Sequence, residues 1–137
     1  YLNKSKGTKI YNNLVFNSLG IDIHFETSSA YIYNNIISGR IKSRNGGSYT
    51  AKNNLIDQDC IAPDREFSGC SFIEWYWDII NADTGLQQME TGIQKMGISE
   101  KDLKTDFCNN PRRLNAADLG PIEYSNNLIC SPDRMNN

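Results

Sequence analysis

The sequence predicts an all-β fold, a short parallel solenoid of about three turns closed by an irregular C-terminal region. The first sign is a doubled asparagine met three times in one apolar setting. It stands in Ile10-Tyr11-Asn12-Asn13-Leu14-Val15, in Ile32-Tyr33-Asn34-Asn35-Ile36-Ile37 and in Ala51-Lys52-Asn53-Asn54-Leu55-Ile56. The second Asn of each pair falls at 13, 35 and 54, at intervals of 22 and 19 residues. That period is too short for a helix pair or a propeller blade and suits one coil of short strands. The second sign is strict alternation between the pairs, as in Gly20-Ile21-Asp22-Ile23-His24-Phe25-Glu26.

Each corner asparagine has a physical reason. The chain must bend within a residue or two, and Asn tolerates the left-handed conformation such a bend needs. An amide stacked on the equivalent amide one coil away can donate to one neighbour and accept from another. Asn13, Asn35 and Asn54 are therefore expected to form a ladder. In the alternating segment Ile21, Ile23 and Phe25 share one face, and Asp22, His24 and Glu26 share the other. Thr27-Ser28-Ser29 is a turn, Ala30 to Tyr33 a strand, and Ile36-Ile37 the start of a third side. Gly39-Arg40-Ile41-Lys42-Ser43-Arg44 repeats the pattern, with Ile41 inward and Arg40, Lys42 and Arg44 outward. Asn45-Gly46-Gly47-Ser48 is the matching turn. Residues 1–56 thus read as coils of three strands and three corners.

Residues 57–137 read as a capping region on the same domain. Asp57 to Gly69 is polar and irregular. Phe72-Ile73-Glu74-Trp75-Tyr76-Trp77 is expected to be a strand plugging the end of the coil, the alternative being a platform for sugar rings. One or two short helices are expected within Gly85 to Leu103, one of them capped by Ser99. Thr105 to Tyr124 reads as a loop ending in a short strand.

Composition narrows the function classes. Of 137 residues 39% are hydrophobic and 22% charged, which does not favour disorder. Fourteen basic against sixteen acidic residues leave no electrostatic footprint for nucleic acid. No apolar run approaches the roughly 20 residues that cross a bilayer, so neither nucleic acid nor membrane is expected as a partner. The chain begins at Tyr1 rather than Met, which suggests a fragment or processed product. Four cysteines, Cys60, Cys70, Cys108 and Cys130, match no zinc spacing. Together with the sequon Asn3-Lys4-Ser5 they are compatible with two disulfides and a secreted or cell-surface location. Cys60–Cys70 with Cys108–Cys130 is the pairing that would pin two irregular excursions, and free buried thiols are the alternative.

The coil pattern, Gly-Ile-x-Ile, a turn, then a strand leading into Asn-Asn-Ile-Ile, resembles the repeat of pectate-lyase-like proteins. The later run Asp106-Phe107-Cys108-Asn109-Asn110-Pro111-Arg112, then Asp118-Leu119-Gly120-Pro121-Ile122-Glu123-Tyr124, resembles the closing segment of secreted bacterial proteins of that kind. Asn109 stands where that pattern usually has Gly, and Pro121 where it usually has Ala. The resemblance covers roughly residues 7–56 and 105–124. It implies a short right-handed single-stranded parallel β-helix, usually longer in the family, with proteins acting on acidic or neutral polysaccharides. This chain would be the C-terminal portion.

The resemblance further implies that the sheet carrying Asp22, His24, Glu26, Arg40, Lys42 and Arg44 forms a sugar cleft. Adjacent coils lie about 4.8 Å apart, so acidic and basic rows would be side by side. A lyase needs a base, a cation to stabilise the enolate and a proton donor; His24, Lys42 and Arg40 or Arg44 are the candidates. The plainer reading is a solvated sheet decorated with opposite charges, with His24 one polar residue among them. Asp22 and Glu26, about 13 Å apart along one strand, are too far apart for glycoside hydrolysis.

No cofactor is expected. A Ca2+ site at Asp57, Asp59 and Asp64 lacks a fixed loop pattern to support it. Asp106, Arg112, Asp118 and Glu123 read as structural, with Arg112 pairing to Asp106 or Asp118. The first coil leaves an unpaired edge near Ile10, Leu14 and Phe16, which calls for more of a larger β-helix protein or for a homo-oligomer. Three functional readings stand: a polysaccharide-binding or polysaccharide-acting module, a lyase, and an assembly module without catalysis.

Overall fold

The computed structural model describes residues 1–15, 18–57 and 95–123. Nine short strands follow one another among the described residues: β1 (Leu2–Asn3), β2 (Thr8–Tyr11), β3 (Leu14–Val15), β4 (Gly20–His24), β5 (Ser29–Tyr33), β6 (Ile36–Ser38), β7 (Arg40–Arg44), β8 (Ser48–Lys52) and β9 (Leu55–Asp57). They form three parallel three-stranded sheets, β1-β4-β7, β2-β5-β8 and β3-β6-β9. Every third strand pairs with its predecessor, so the chain winds round a three-sided path and stacks each turn on the last. The register keeps the asparagine period, with Ile10 opposite Ile32 and Ile32 opposite Ala51.

Alternation puts Ile21, Ile23, Ala30, Ile32 and Ile37 inside the coil, where Leu2, Ile10, Val15 and Ile41 pack on them. Fully burying such a side chain contributes about 1.5–3 kcal/mol. Ile36 is buried as well but stands outside that cluster, so β6 is covered on both faces. All three corners use left-handed backbone, with Phe25, Asn45 and Gly46 at one of them. Asn12, Asn34 and Asn53 all have positive φ, between 50° and 58°. Gly20 (φ 97°) and Gly39 (φ 88°) hold another corner, where a Cβ on Gly39 would lie 2.5 Å from the backbone carbonyl carbon of Leu19. Only glycine lets the coils approach this closely there.

Three expectations need correction. Phe25 does not join Ile21 and Ile23 inside, because its φ of 72° ends the strand's alternation; the ring is 39% exposed and stacks on His24 at 3.7 Å. The helix capped by Ser99 is absent: residues 95–123 contain no helix, and 100–103 form one turn closed by Leu103 N–H donating to Glu100 O. So short a stretch does not offset the cost of helix nucleation, and the turn instead places Asp102 against Lys9. No short strand ends the loop within the described residues; an isolated bridge between Thr105 and Pro111 is its one ladder contact. The aromatic plug over 72–77 lies outside the described residues, as do Phe16, Asp59, Asp64, Cys60, Cys70, Cys130 and Tyr124. Cys108 is disulfide-bonded.

Candidate functional site

The sheet β1-β4-β7 carries the charged residues read from the sequence, and its register sets Asp22 opposite Lys42 and His24 opposite Arg44. The pairing that forms is diagonal. Arg44 grips Asp22 with two nitrogens, Nε to Oδ1 at 3.1 Å and Nη2 to Oδ2. That hydrogen bond holds the Asp22 carboxyl below its ordinary range and raises the Arg44 guanidinium. His24 has both ring nitrogens occupied, Nδ1 by the Tyr1 hydroxyl and Nε2 by the Asn45 amide at 2.6 Å. Phe25 stacks on one face of the ring and Tyr1 meets it edge-on. A base must have a lone pair facing substrate, and a triad of contacts leaves His24 none to spare. Glu26 is exposed past the end of β4. Arg40 and Lys42 enter no ion pair with the described residues. The structure therefore brings Asp22 to Arg44, and His24 to Tyr1 and Asn45, and leaves Arg40 and Lys42 on the same sheet outside those pairs.

A second face was not singled out from the sequence. On β2-β5-β8 the inward row is Ile10, Ile32 and Ala51, which sends Lys9, Tyr31 and Thr50, and Tyr11, Tyr33 and Lys52, outward in two rows. Tyr11 and Tyr33 stack with centroids 5.1 Å apart and planes within 3°, and Tyr31 tilts against Tyr33 at 6.2 Å. Tyr31 is 44% exposed. Burial, then the nearby Glu100 charge, raises the Tyr11 phenol above its ordinary value. At one end of the face Lys9 pairs with Asp102 at 3.0 Å. The signal for this face was present in the two Ile-Tyr-Asn-Asn segments, whose tyrosines the repeat sets one coil apart.

The asparagine pairs divide their work. Asn13 Nδ2 donates to Asn35 Oδ1 at 3.1 Å, and Asn35 Nδ2 donates to Asn54 Oδ1 at 2.9 Å. The first Asn of each pair, in the left-handed bend, turns outward and holds the C-terminal segment. Asn12 Nδ2 donates to Asp118 O at 3.0 Å, Asn34 Nδ2 to Ile98 O at 2.6 Å and Asn53 Nδ2 to Met96 O at 2.7 Å. Beside this corner a cavity of about 710 Å³ is bordered by Asn12, Ile98, Lys101, Leu103, Pro111 and Arg113, among others.

Asp106, Asp118 and Glu123 of the segment are buried, and two arginines reach them. Arg112 pairs with Glu123 at 3.4 Å, not with Asp106 or Asp118, and donates to the carbonyls of Gly120 and Pro121. Asp118 instead meets Arg113 at 3.2 Å. The reason is that Asp106 is already committed to backbone: it accepts from the N–H groups of Cys108, Asn110 and Glu123. Desolvation raises the Glu123 carboxyl above its ordinary value despite these donors. Among the described residues no three His, Cys, Asp or Glu side chains group as a metal site, and Asp59 and Asp64 lie outside those residues. No protein-family model matches the chain, and no curated protein or solved structure shows significant similarity to it.

Proposed function

We propose that this chain is a polysaccharide-binding β-coil module, secreted or cell-surface, in which sugars lie on the outer face of the β2-β5-β8 sheet. Its coil would be a short right-handed parallel β-helix of the pectate-lyase-like kind. The observation that carries the reading is the grouping of Tyr11, Tyr31 and Tyr33 with Lys9, Thr50 and Lys52 on one outer face. Aromatic side chains offer an apolar surface with a polar handle, which suits the apolar faces and hydroxyl rims of pyranose rings. Ammonium and hydroxyl donors beside them add hydrogen bonds to sugar oxygens and favour an anionic chain.

A lyase on the charged sheet is the second reading, kept alive by Arg40 and Lys42. It is the weaker one because His24 and Asp22 are already engaged by neighbours. Binding should be titrated calorimetrically with alginate, pectate and chondroitin, and the same mixtures followed for unsaturated product. Tyr31→Ala is expected to weaken binding by about 2- to 10-fold, while His24→Ala and Lys42→Ala leave it intact and no product forms. Product that disappears in Lys42→Ala, with Tyr31→Ala unaffected, would assign the function to the charged sheet. Failure of every glycan tested would leave the assembly role as the function of the coil.

A further inference from the structure

Among the described residues both ends of the coil expose what its middle buries. At the first turn β1, β2 and β3 each have a strand on one side only among the described residues. Leu2, Ile10, Leu14, Val15 and Ile21 border an open cavity of about 450 Å³ there. At the third turn Tyr49, Ala51 and Ile56 occupy inward positions, opposite the buried Ala30, Ile32 and Ile37. Yet Tyr49 is 41% and Ile56 39% exposed, and Ala51 is exposed too. The segment over 95–123 hangs on the asparagine corner, along the side of the coil.

The two ends also differ in hydrogen-bonding sense. At every step the backbone N–H and Nδ2 of one coil's asparagine donate to Oδ1 of the next: Asn13 to Asn35, then Asn35 to Asn54. Nδ2 donates in the other direction as well, from Asn35 to Ile10 O at 2.8 Å and from Asn54 to Ile32 O at 2.7 Å. Among the described residues nothing donates to Asn13 Oδ1, and nothing accepts from the backbone N–H of Asn54. One end is thus an acceptor and the other a donor, at the same corner.

We infer that these ends are two halves of one head-to-tail interface between copies of this chain. The β7, β8 and β9 edges of one copy receive the β1, β2 and β3 edges of the next in the same parallel register. Asn54 N–H then donates to Asn13 Oδ1 of the next copy, whose Nδ2 reaches back to Ala51 O, as the internal repeat dictates. Tyr49, Ala51 and Ile56 leave water against Leu2, Ile10 and Val15 of the next copy. Because the two surfaces are different and each copy is displaced along the coil axis as one turn is from the last, the contact does not close on itself and builds linear stacks. This is independent of what the tyrosine face binds.

Sedimentation velocity of the purified 137-residue chain over a wide concentration range tests it, alongside Ala51→Lys. The expected result is a sedimentation coefficient that keeps rising past the dimer with concentration. Ala51→Lys should sediment as a single copy with unchanged circular dichroism, and in substoichiometric amounts should shorten the stacks of the unaltered chain. If Ala51→Lys loses its fold, Ile56→Lys is read in its place. A single copy at every concentration, a dimer that saturates, or growth indifferent to both variants would overturn the inference.

Discussion

In the coil over residues 1–57, the backbone groups of β1 to β9 meet those of the turn above or below, and one asparagine per turn completes the corner. The segment over 95–123 has no such ladder, and its scattered backbone bonds, such as Asp106 N–H to Asn110 O, are supplemented by side chains. Asp106 accepts three backbone N–H groups, Glu123 those of Arg113 and Asp118, and Arg112 donates to the carbonyls of Thr105, Gly120 and Pro121. The comparison shows two ways to satisfy a buried backbone, which cannot be left unpaired. A repeat spreads the task evenly over many equivalent bonds. An irregular segment concentrates it on a few charged residues, which must themselves be neutralised, so damage there should be less tolerable.

The largest expected effect tests that concentration. Arg112→Met leaves the buried Glu123 with only the longer contact to Arg113 at 3.8 Å and takes a charged donor from the carbonyls of Thr105, Gly120 and Pro121, and urea unfolding should register a loss of about 3–5 kcal/mol. A loss near that of an ordinary surface change would mean that the segment does not depend on its charges.

The coil offers the matched test. Asn35→Ala removes the middle rung, stripping acceptors from Asn13 and a donor from Asn54, Ile10 and Tyr33. About 2–3 kcal/mol of stability should go, whereas Asn13→Ala, at the end of the ladder, should cost about 1 kcal/mol. Equal losses at the two positions would show that the asparagines act as isolated bends.

A smaller effect concerns pH. The folded Glu123 carboxyl titrates above its reference value of 4.5, because burial disfavours its charge. Between that reference and its folded value the native state holds the proton more tightly than the unfolded chain. Stability from this group is therefore fully present below the reference value and is lost as pH rises through the folded value. Urea midpoints of the unaltered chain, compared with Glu123→Gln at several pH values, should fall relative to the variant as pH rises. A constant difference would remove the effect of burial. Smallest of all, Lys9→Ala breaks the exposed pair with Asp102 and should leave the unfolding midpoint where it is; a clear drop would make that bridge a true tie between the two regions.

The asparagine pairs illustrate how far reading the chain can go. Their spacing and apolar flanks announce a parallel coil and locate its corners, since each strand and bend depends on residues within a few positions of it. The division of labour between the two members of a pair was not legible. Asn34 and Asn35 are neighbours of one type, and only the left-handed backbone at Asn34 turns its amide toward Ile98, 64 residues away. The same holds for the tyrosines: Tyr11 and Tyr33 are 22 positions apart, and their stacking follows from the register of β2 on β5.

Alternation within a strand is a local property, so the inward placing of Ile21, Ile23 and Ile41 was settled by the order of residues alone. Where a strand stops alternating is not local. Phe25 leaves the interior because the chain bends at that point, and Arg112 meets Glu123 because Asp106 is taken up by backbone donors. Repetition makes a coil legible, because each turn restates the same short-range demands. Partners of buried charges and of corner amides come from competition among groups far apart in the chain, and that competition is decided only when the chain is folded.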